Sequence, residues 1–354
     1  ALVGQERLRQ ALLFVAVEPR IGGVLVMGRR GTAKSTAVRG LVRLLPDQQV
    51  VAGCPFRCDP DQPGAWCTLC RARAAEGEPL PTASAPVPLV DVPLGVTPDR
   101  LTGSLDLEAA LTEGRARFAP GLLARANRGF LYIDEVNLLD DALVDLLLDV
   151  AASGVNVVER EGVSVRHPAR FVLVGSGNPE EGGLRPQLLD RFGLYVEVET
   201  VHRLEERMEI LRRRERFEQD PQAFLREFGP QEDALRRAIR AARDRLAAVE
   251  VPDAALAVIA RVCADLGTEG HRGELAWLRA ARARAALAGR ARIEPQDVQE
   301  AAPLALVHRL AADPVDGPAA ATEVREAVAR RLAEASRGEA SWKASDGHVH
   351  PAGR

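Results

Sequence analysis

Lysine is almost missing from this chain: of 47 basic residues only Lys34 and Lys343 are lysines, and the rest are arginines. Arginine is a rigid planar fork and lysine a mobile point charge, so a lysine kept in so arginine-biased a sequence marks a place where the ammonium matters. A surplus of either charge is missing as well. With 47 basic against 50 acidic residues the formal net charge is −3, which gives no general drive toward nucleic acid or an anionic membrane. No apolar run approaches a membrane span. The N-terminus enters a patterned segment at once (Ala1, Leu2, Val3, Gly4), without the basic stretch and apolar core of a signal peptide, so the cytoplasm is the expected compartment. A dispersed disulfide framework is missing too: of five cysteines, Cys54, Cys58, Cys67 and Cys70 are clustered and only Cys263 stands apart.

What is present fits a globular chain of two domains: 354 residues, 46% hydrophobic and 27% charged. Near-continuous apolar runs at 21–27, 87–92, 130–133, 171–174 and 194–198 alternate with helical patterns. The clearest helix is 142–152, where Leu143, Leu146, Leu147 and Val150 form one apolar stripe. Buried strands alternating with helices predict an α/β domain with a parallel sheet covered on both faces. It spans residues 1–200 and carries a cysteine-rich insertion at about 53–86. Beyond it the pattern predicts a linker over 201–230 and a domain of packed helices over 231–312. Pro252 and Asp253 start one of these helices, Gly267 ends it, and others run over 273–287 and from Pro295. Residues 313–354 are expected to give a last helix and, from Ser336, a polar disordered tail.

Gly28-Arg29-Arg30-Gly31-Thr32-Ala33-Lys34-Ser35 lies between an apolar strand and a helix expected over Thr36 to Leu45, the context a phosphate-binding P-loop requires. Backbone N–H groups of the loop would wrap the phosphates of ATP, with Lys34 adding a mobile charge and Ser35 a ligand for Mg²⁺; Thr36 completes the set. Ala33 stands where glycine is usual, harmless at negative φ but costing about 1 kcal/mol or more if left-handed. The strand Phe130 to Ile133 ends in Asp134 and Glu135. Such an ending suits Asp134 to hold Mg²⁺ and Glu135 to orient or deprotonate the attacking water. Asn178, at the end of a third strand, offers a neutral hydrogen bond to that water, or is a turn asparagine. Arg191, between apolar neighbours, suits an arginine finger or a structural ion pair.

Together these residues resemble the AAA+ ATPases, α/β P-loop enzymes with a smaller all-helical lid, and within them the ATPase subunit of magnesium chelatase and its cobalt-chelatase relatives. The resemblance covers roughly residues 1 to 312 and is carried by Val3-Gly4-Gln5-Glu6, the Gly-Thr-Ala-Lys-Ser loop, the stretch Phe118 to Gly129, and Gly175 to Glu181. It implies that Asn178 is the sensor-1 residue, Arg191 a finger acting on a neighbouring subunit, and Arg272 the sensor-2 arginine of the lid. It also implies a nucleotide-dependent homo-oligomeric ring, typically a hexamer, working with an adaptor subunit bearing an integrin-like domain and a large porphyrin-binding subunit. Insertions at 101–118 and around Glu161-Gly162, the second a β-hairpin, would project toward these partners or be solvated decorations.

The cysteines depart from the chlorophyll-pathway subunits and look like cysteine-bearing versions in non-photosynthetic bacteria. Cys54-x3-Cys58-x8-Cys67-x2-Cys70 suits a closed tetrahedral Zn²⁺ site; an Fe–S cluster, a redox dithiol or unligated thiols are the other readings. The expected activity is an ATPase driving insertion of Mg²⁺ or Co²⁺ into a tetrapyrrole, a task for which reluctant dehydration of Mg²⁺ gives a physical reason. The rivals are a MoxR-like AAA+ chaperone and a nucleotide-binding scaffold without hydrolysis, which intact Glu135 and Arg191 oppose.

Overall fold

Strands built from consecutive aliphatic residues rather than alternating ones must be covered on both faces, and in the computed structural model they are. It describes residues 2–106, 117–160, 163–182, 184, 186–310, 317–337 and 342. The first domain runs α1 (Glu6–Val17), β1 (Gly23–Gly28), α2 (Lys34–Arg43), β2 (Gln48–Val51), α3 (Thr68–Ala75), β3 (Thr82–Ala85), β4 (Leu89–Val92), α4 (Pro98–Thr102), β5 (Gly103–Asp106) and β6 (Arg117–Pro120). It continues through α5 (Leu122–Ala126), β7 (Phe130–Ile133), α6 (Asp141–Ser153), β8 (Val155–Arg160), β9 (Val163–Pro168), β10 (Val172–Gly177), α7 (Pro186–Arg191) and β11 (Leu194–Val198).

Five strands form one sheet in the order β11-β1-β10-β7-β4, every pair parallel. Met27 lies opposite Gly177 and Gly175 opposite Ile133. The C-terminal ends of β1, β10 and β7 therefore finish side by side, on the edge where open parallel sheets take their ligands. All six residues of β1 and of β10 are buried. Helix α6 shows how local signals set an element. Asp140 caps it by accepting from the Ala142 N–H at 2.9 Å, its stripe of Leu143, Leu147 and Val150 is buried, and Gly154, at φ 67°, turns the chain out. The two insertions are antiparallel pairs, β5 with β6 and β8 with β9; residues 107–116 and the expected turn at Glu161-Gly162 lie outside the described residues.

The stretch expected as a linker is helical: α8 (Leu204–Gln219) and α9 (Pro221–Arg245) fill it. No residue of α8 is buried, so beyond Phe217 edge-on to Phe224 of the next helix at 5.7 Å and Arg213 over the Phe228 ring its support is local. Glu209 pairs with Arg213 at 2.7 Å and Arg214 with Glu218 at 2.5 Å, both one turn apart. Asp220 then caps α9, accepting from the Ala223 N–H at 2.9 Å ahead of Pro221.

The helical domain follows as α10 (Asp253–Asp265), α11 (Arg272–Leu287), α12 (Pro295–Leu310) and α13 (Gly317–Arg337). Trp277 is fully buried, its indole N–H donating to the Val298 carbonyl at 2.7 Å. Asp297, also fully buried, is held by Arg284 at 2.6 Å and accepts from the Glu294 N–H at 2.8 Å. Helix α13 runs through Ser336, where the disordered tail was expected to begin; apart from Trp342, the tail beyond Arg337 lies outside the described residues.

Candidate nucleotide site and cysteine centre

The loop after β1 begins where backbones nearly touch: a Cβ at Gly28 would meet the Val198 carbonyl at 2.3 Å, so only glycine fits. Gly31 has φ 80° and open space around it. Ala33 has φ 62° and ψ 25°, the left-handed conformation that costs a residue with a Cβ about 1–2 kcal/mol. The expected helix starts two residues early, at Lys34, and no side chain caps its N-terminus, which leaves its first N–H groups for an anion. Ser35 is half-buried in that first turn and Thr36 exposed. The Lys34 ammonium folds back on the loop, donating to the Gly28 and Arg29 carbonyls, the second at 3.1 Å. Burial pushes its pKa down, against the pull of Asp134, Glu181 and Glu135.

Across from the loop, the end of β7 presents Asp134 and Glu135. Glu135 has φ 52°, a conformation held only where surrounding structure enforces it. Its carboxylate pairs with Arg30 at 2.9 Å, and Arg30 also pairs with Glu181 at 2.5 Å, while Arg29 reaches Glu180 at 3.3 Å. The two loop arginines thus bridge the P-loop to the turn after β10. Asn178 heads that turn, nearly buried, its Oδ1 accepting from the Glu180 N–H at 3.3 Å. It serves as the turn asparagine that the sequence allowed. Asp134 Oδ1 accepts from Ser176 Oγ and, at 3.1 Å, from the Tyr132 hydroxyl.

The two arginines assigned by resemblance lie elsewhere. Arg272, at the start of α11, pairs with Asp190 at 2.6 Å. Arg191 ends α7, its Nη1 3.5 Å from the Leu148 carbonyl of α6, and among the described residues it has no ion pair. Asp190 also faces Arg309 of α12, with Nε at 3.4 Å. Arg309 is buried and donates to the Phe192 and Asp190 carbonyls at 2.9 and 3.1 Å. Sequence reasoning missed Asp190, Arg309, Tyr132 and Ser176. Only the last two left a signal, since the pleat of β7 and β10 sets Tyr132, Asp134 and Ser176 on one face.

The cysteine centre is built on the β2–β3 pair. Cys58 O accepts from the Val51 N–H at 2.9 Å, and Cys67 caps α3, its sulfur accepting from the Cys70 N–H at 3.4 Å. The Cys67 N–H donates to Cys58 Sγ at 3.2 Å. The four sulfurs lie within 4.8 Å of one another, and Cys58, Cys67 and Cys70 are buried. Hydrogen bonds from Cys58 and Cys67 push the Cys54 thiol's pKa far down, while burial pushes that of Cys70 up to about 12. Between the first two cysteines, Phe56 stacks on His167 of β9 at 4.6 Å and lies near Phe118 of β6 at 6.4 Å. Asn127 donates to the Phe56 carbonyl at 2.7 Å and Arg128 pairs with Asp59 at 2.8 Å. The centre is therefore seated against the bases of both hairpins.

A parallel sheet with a P-loop after one strand, two carboxylates after another, and a helical domain behind them is the fold of an AAA+ ATPase. The sequence profile for an AAA lid domain matches residues 256–328, and that for magnesium chelatase, subunit ChlI, matches residues 104–188. The chain is 56% identical to the magnesium-chelatase 38 kDa subunit of Acidiphilium rubrum over 336 residues, covering 95% of this chain and 97% of that one. It is 52% identical to the chloroplastic magnesium-chelatase subunit ChlI of Oryza sativa subsp. indica, covering 89% and 76%. Among solved structures, the complex of the magnesium chelatase subunits BchI and BchD, based on cryo-electron microscopy, contains a chain 52% identical with a TM-score of 0.50, covering 92% of this chain and 97% of that one. The chain belongs to the ChlI family of magnesium-chelatase subunits.

Proposed function

We propose that this chain is the ATP-hydrolysing motor subunit of a magnesium chelatase, coupling hydrolysis through partner subunits to insertion of Mg²⁺, as substrate, into a tetrapyrrole. The observation that carries the reading is the meeting, at one sheet edge, of an uncapped helix N-terminus with Lys34, a carboxylate pair, and the asparagine-headed turn. The residues fit Mg-ATP: the loop amides from Gly28 to Ala33, Lys34 and Thr36 would hold the phosphates, and Ser35 and Asp134 the Mg²⁺. Bound Mg²⁺ supplies charge neutralisation on the phosphates. Glu135 orients the attacking water and takes its proton, once Arg30 turns away from the carboxylate. Asn178 steadies that water. Arg272, once it leaves Asp190, acts on its own subunit's nucleotide, and Arg191, free of any carboxylate among the described residues, acts on the neighbour's in a homo-oligomeric ring, a hexamer.

Beyond the ring, the partners are a BchD-like adaptor, as in the complex that contains the similar BchI chain, and a large porphyrin-binding subunit. Phosphate release from ATP by the purified chain tests the reading. Lys34→Ala should lose nucleotide affinity, whereas Glu135→Gln should keep ATP and stop turnover; hydrolysis by Glu135→Gln at the wild-type rate sinks the catalytic assignment.

The cysteines supply a second element of the same reading, a structural Zn²⁺ site. Zn–S bonds of about 2.3 Å set tetrahedral S···S edges at about 3.8 Å, and Cys54 Sγ and Cys67 Sγ lie 3.8 Å apart. Backbone N–H donors to Cys58 and Cys67 are already in place to orient thiolate ligands. Four thiolates close the shell and leave no position for chemistry. Elemental analysis of protein purified without chelator should give about one zinc per chain; iron instead points to a cluster, and neither metal removes the site.

A further inference from the structure

Tyr132 and Ser176 belong to strands β7 and β10, adjacent and parallel, with Val174 opposite Tyr132. Two residues on from these lie Asp134 and Ser176, on the same face of the sheet by the period of two. Both hydroxyls converge on one atom. Ser176 Oγ donates to Asp134 Oδ1, the Tyr132 hydroxyl lies 3.1 Å from the same oxygen, and the two hydroxyls are 3.0 Å from each other. Tyr132 and Ser176 are buried at 3% and 1% exposure, whereas Asp134 is exposed at the strand end. One oxygen of the carboxylate is thus tied into the sheet, and Oδ2 is the one open to the water shell of a metal.

We infer that Tyr132 and Ser176 are positioning residues for Mg²⁺ binding at the nucleotide site: they fix the torsion of the Asp134 carboxylate so that Oδ2 faces the metal. The inference rests on Asp134 holding Mg²⁺. Both side chains are buried in the sheet, so removing either hydroxyl should leave metal-free nucleotide binding alone and act on the metal. Outer hydrogen bonds of this kind are worth about tenfold or more in metal affinity. The two hydroxyls act in parallel on one oxygen, so loss of either leaves Asp134 Oδ1 with a single donor.

The experiment uses the assembled wild-type oligomer beside Tyr132→Phe, Ser176→Ala, Ser176→Thr and Asp134→Asn. ATPase is measured against free Mg²⁺, and binding of a fluorescent ATP analogue is measured in EDTA. Tyr132→Phe and Ser176→Ala should raise the half-saturating Mg²⁺ about tenfold with the affinity in EDTA unchanged, and Ser176→Thr, which restores a hydroxyl, should recover most of the shift. An unchanged Mg²⁺ dependence in both hydroxyl-deletion variants while Asp134→Asn shifts it overturns the positioning role alone. If Asp134→Asn also leaves the Mg²⁺ dependence unchanged, the metal assignment itself fails. Loss of analogue binding in EDTA on removing a hydroxyl marks general damage to the loop and also overturns a role specific to the metal.

Discussion

Arg309 is the buried link between the helical domain and the segment carrying Arg191, and replacing it should cost both stability and turnover. Its side chain is 6% exposed and threads past Gly273, where a Cβ would meet Arg309 Cδ at 3.1 Å. Arg309→Ala removes hydrogen bonds to the Phe192 and Asp190 carbonyls at 2.9 and 3.1 Å and the contact with the Asp190 carboxylate. The loss is not total. His308 Nε2 stands 3.0 Å from the Phe192 carbonyl, and Arg272 still pairs with Asp190 at 2.6 Å. What remains is one orphaned carbonyl and one lost charged hydrogen bond, together about 3 kcal/mol. With a urea slope of about 3 kcal/mol/M, that lowers the unfolding midpoint by about 1 M. Arg309→Lys keeps the charge but not the fork, and should recover less than half. ATPase should fall in parallel, because α7 is no longer pinned. A loss below about 1 kcal/mol with full ATPase activity would refute the reasoning.

Ala33→Gly relieves a left-handed Cβ, worth about 1–2 kcal/mol in the folded chain, and adds unfolded-state entropy worth about 0.4–1 kcal/mol; a small rise in urea midpoint with ATP binding retained is expected, and a fall contradicts the strain at Ala33. Inactive Arg191→Ala mixed with inactive Lys34→Ala should regain ATPase, because some interfaces then hold both intact residues. No recovery in demonstrably mixed assemblies argues against a role in trans. Burial lowers the pKa of His167, and that of His308 well below its usual 6.5. The unfolded chain therefore binds more protons in acid, so stability contributed by both should be present near pH 7 and fall as the pH drops below about 6.5. A denaturant midpoint flat from pH 7 to 5 would contradict neutral burial of these rings.

The P-loop, the Asp134-Glu135 pair and the cysteine cluster were legible in the sequence because each is local in the chain: the first two are a few residues at the end of one strand, and the four cysteines fall within 54–70. The parallel sheet was legible because doubly covered strands are uniformly apolar. Contacts set by tertiary approach were not. Arg309 and Asp190 are 119 residues apart, and Arg272 and Asp190 are 82 apart, and in a chain whose basic residues are nearly all arginine nothing in composition distinguishes these two. Ala33 could be flagged as unusual, but only the backbone shows its φ. The helical character of 204–230 was missed because α8 has no buried stripe; the one-turn Glu209–Arg213 and Arg214–Glu218 spacings were the signal that remained.

Coupling of hydrolysis to metal insertion is tested most directly by following Mg²⁺ insertion into a porphyrin, by its absorbance or fluorescence, while counting released phosphate. The reaction contains this chain with adaptor and porphyrin-binding chelatase subunits, and wild type is compared with Glu135→Gln. Insertion should require ATP, track phosphate release in wild type, and stop with Glu135→Gln although ATP stays bound. Metalloporphyrin formed at the wild-type rate by Glu135→Gln, or with ATP omitted, would contradict a motor role for this chain.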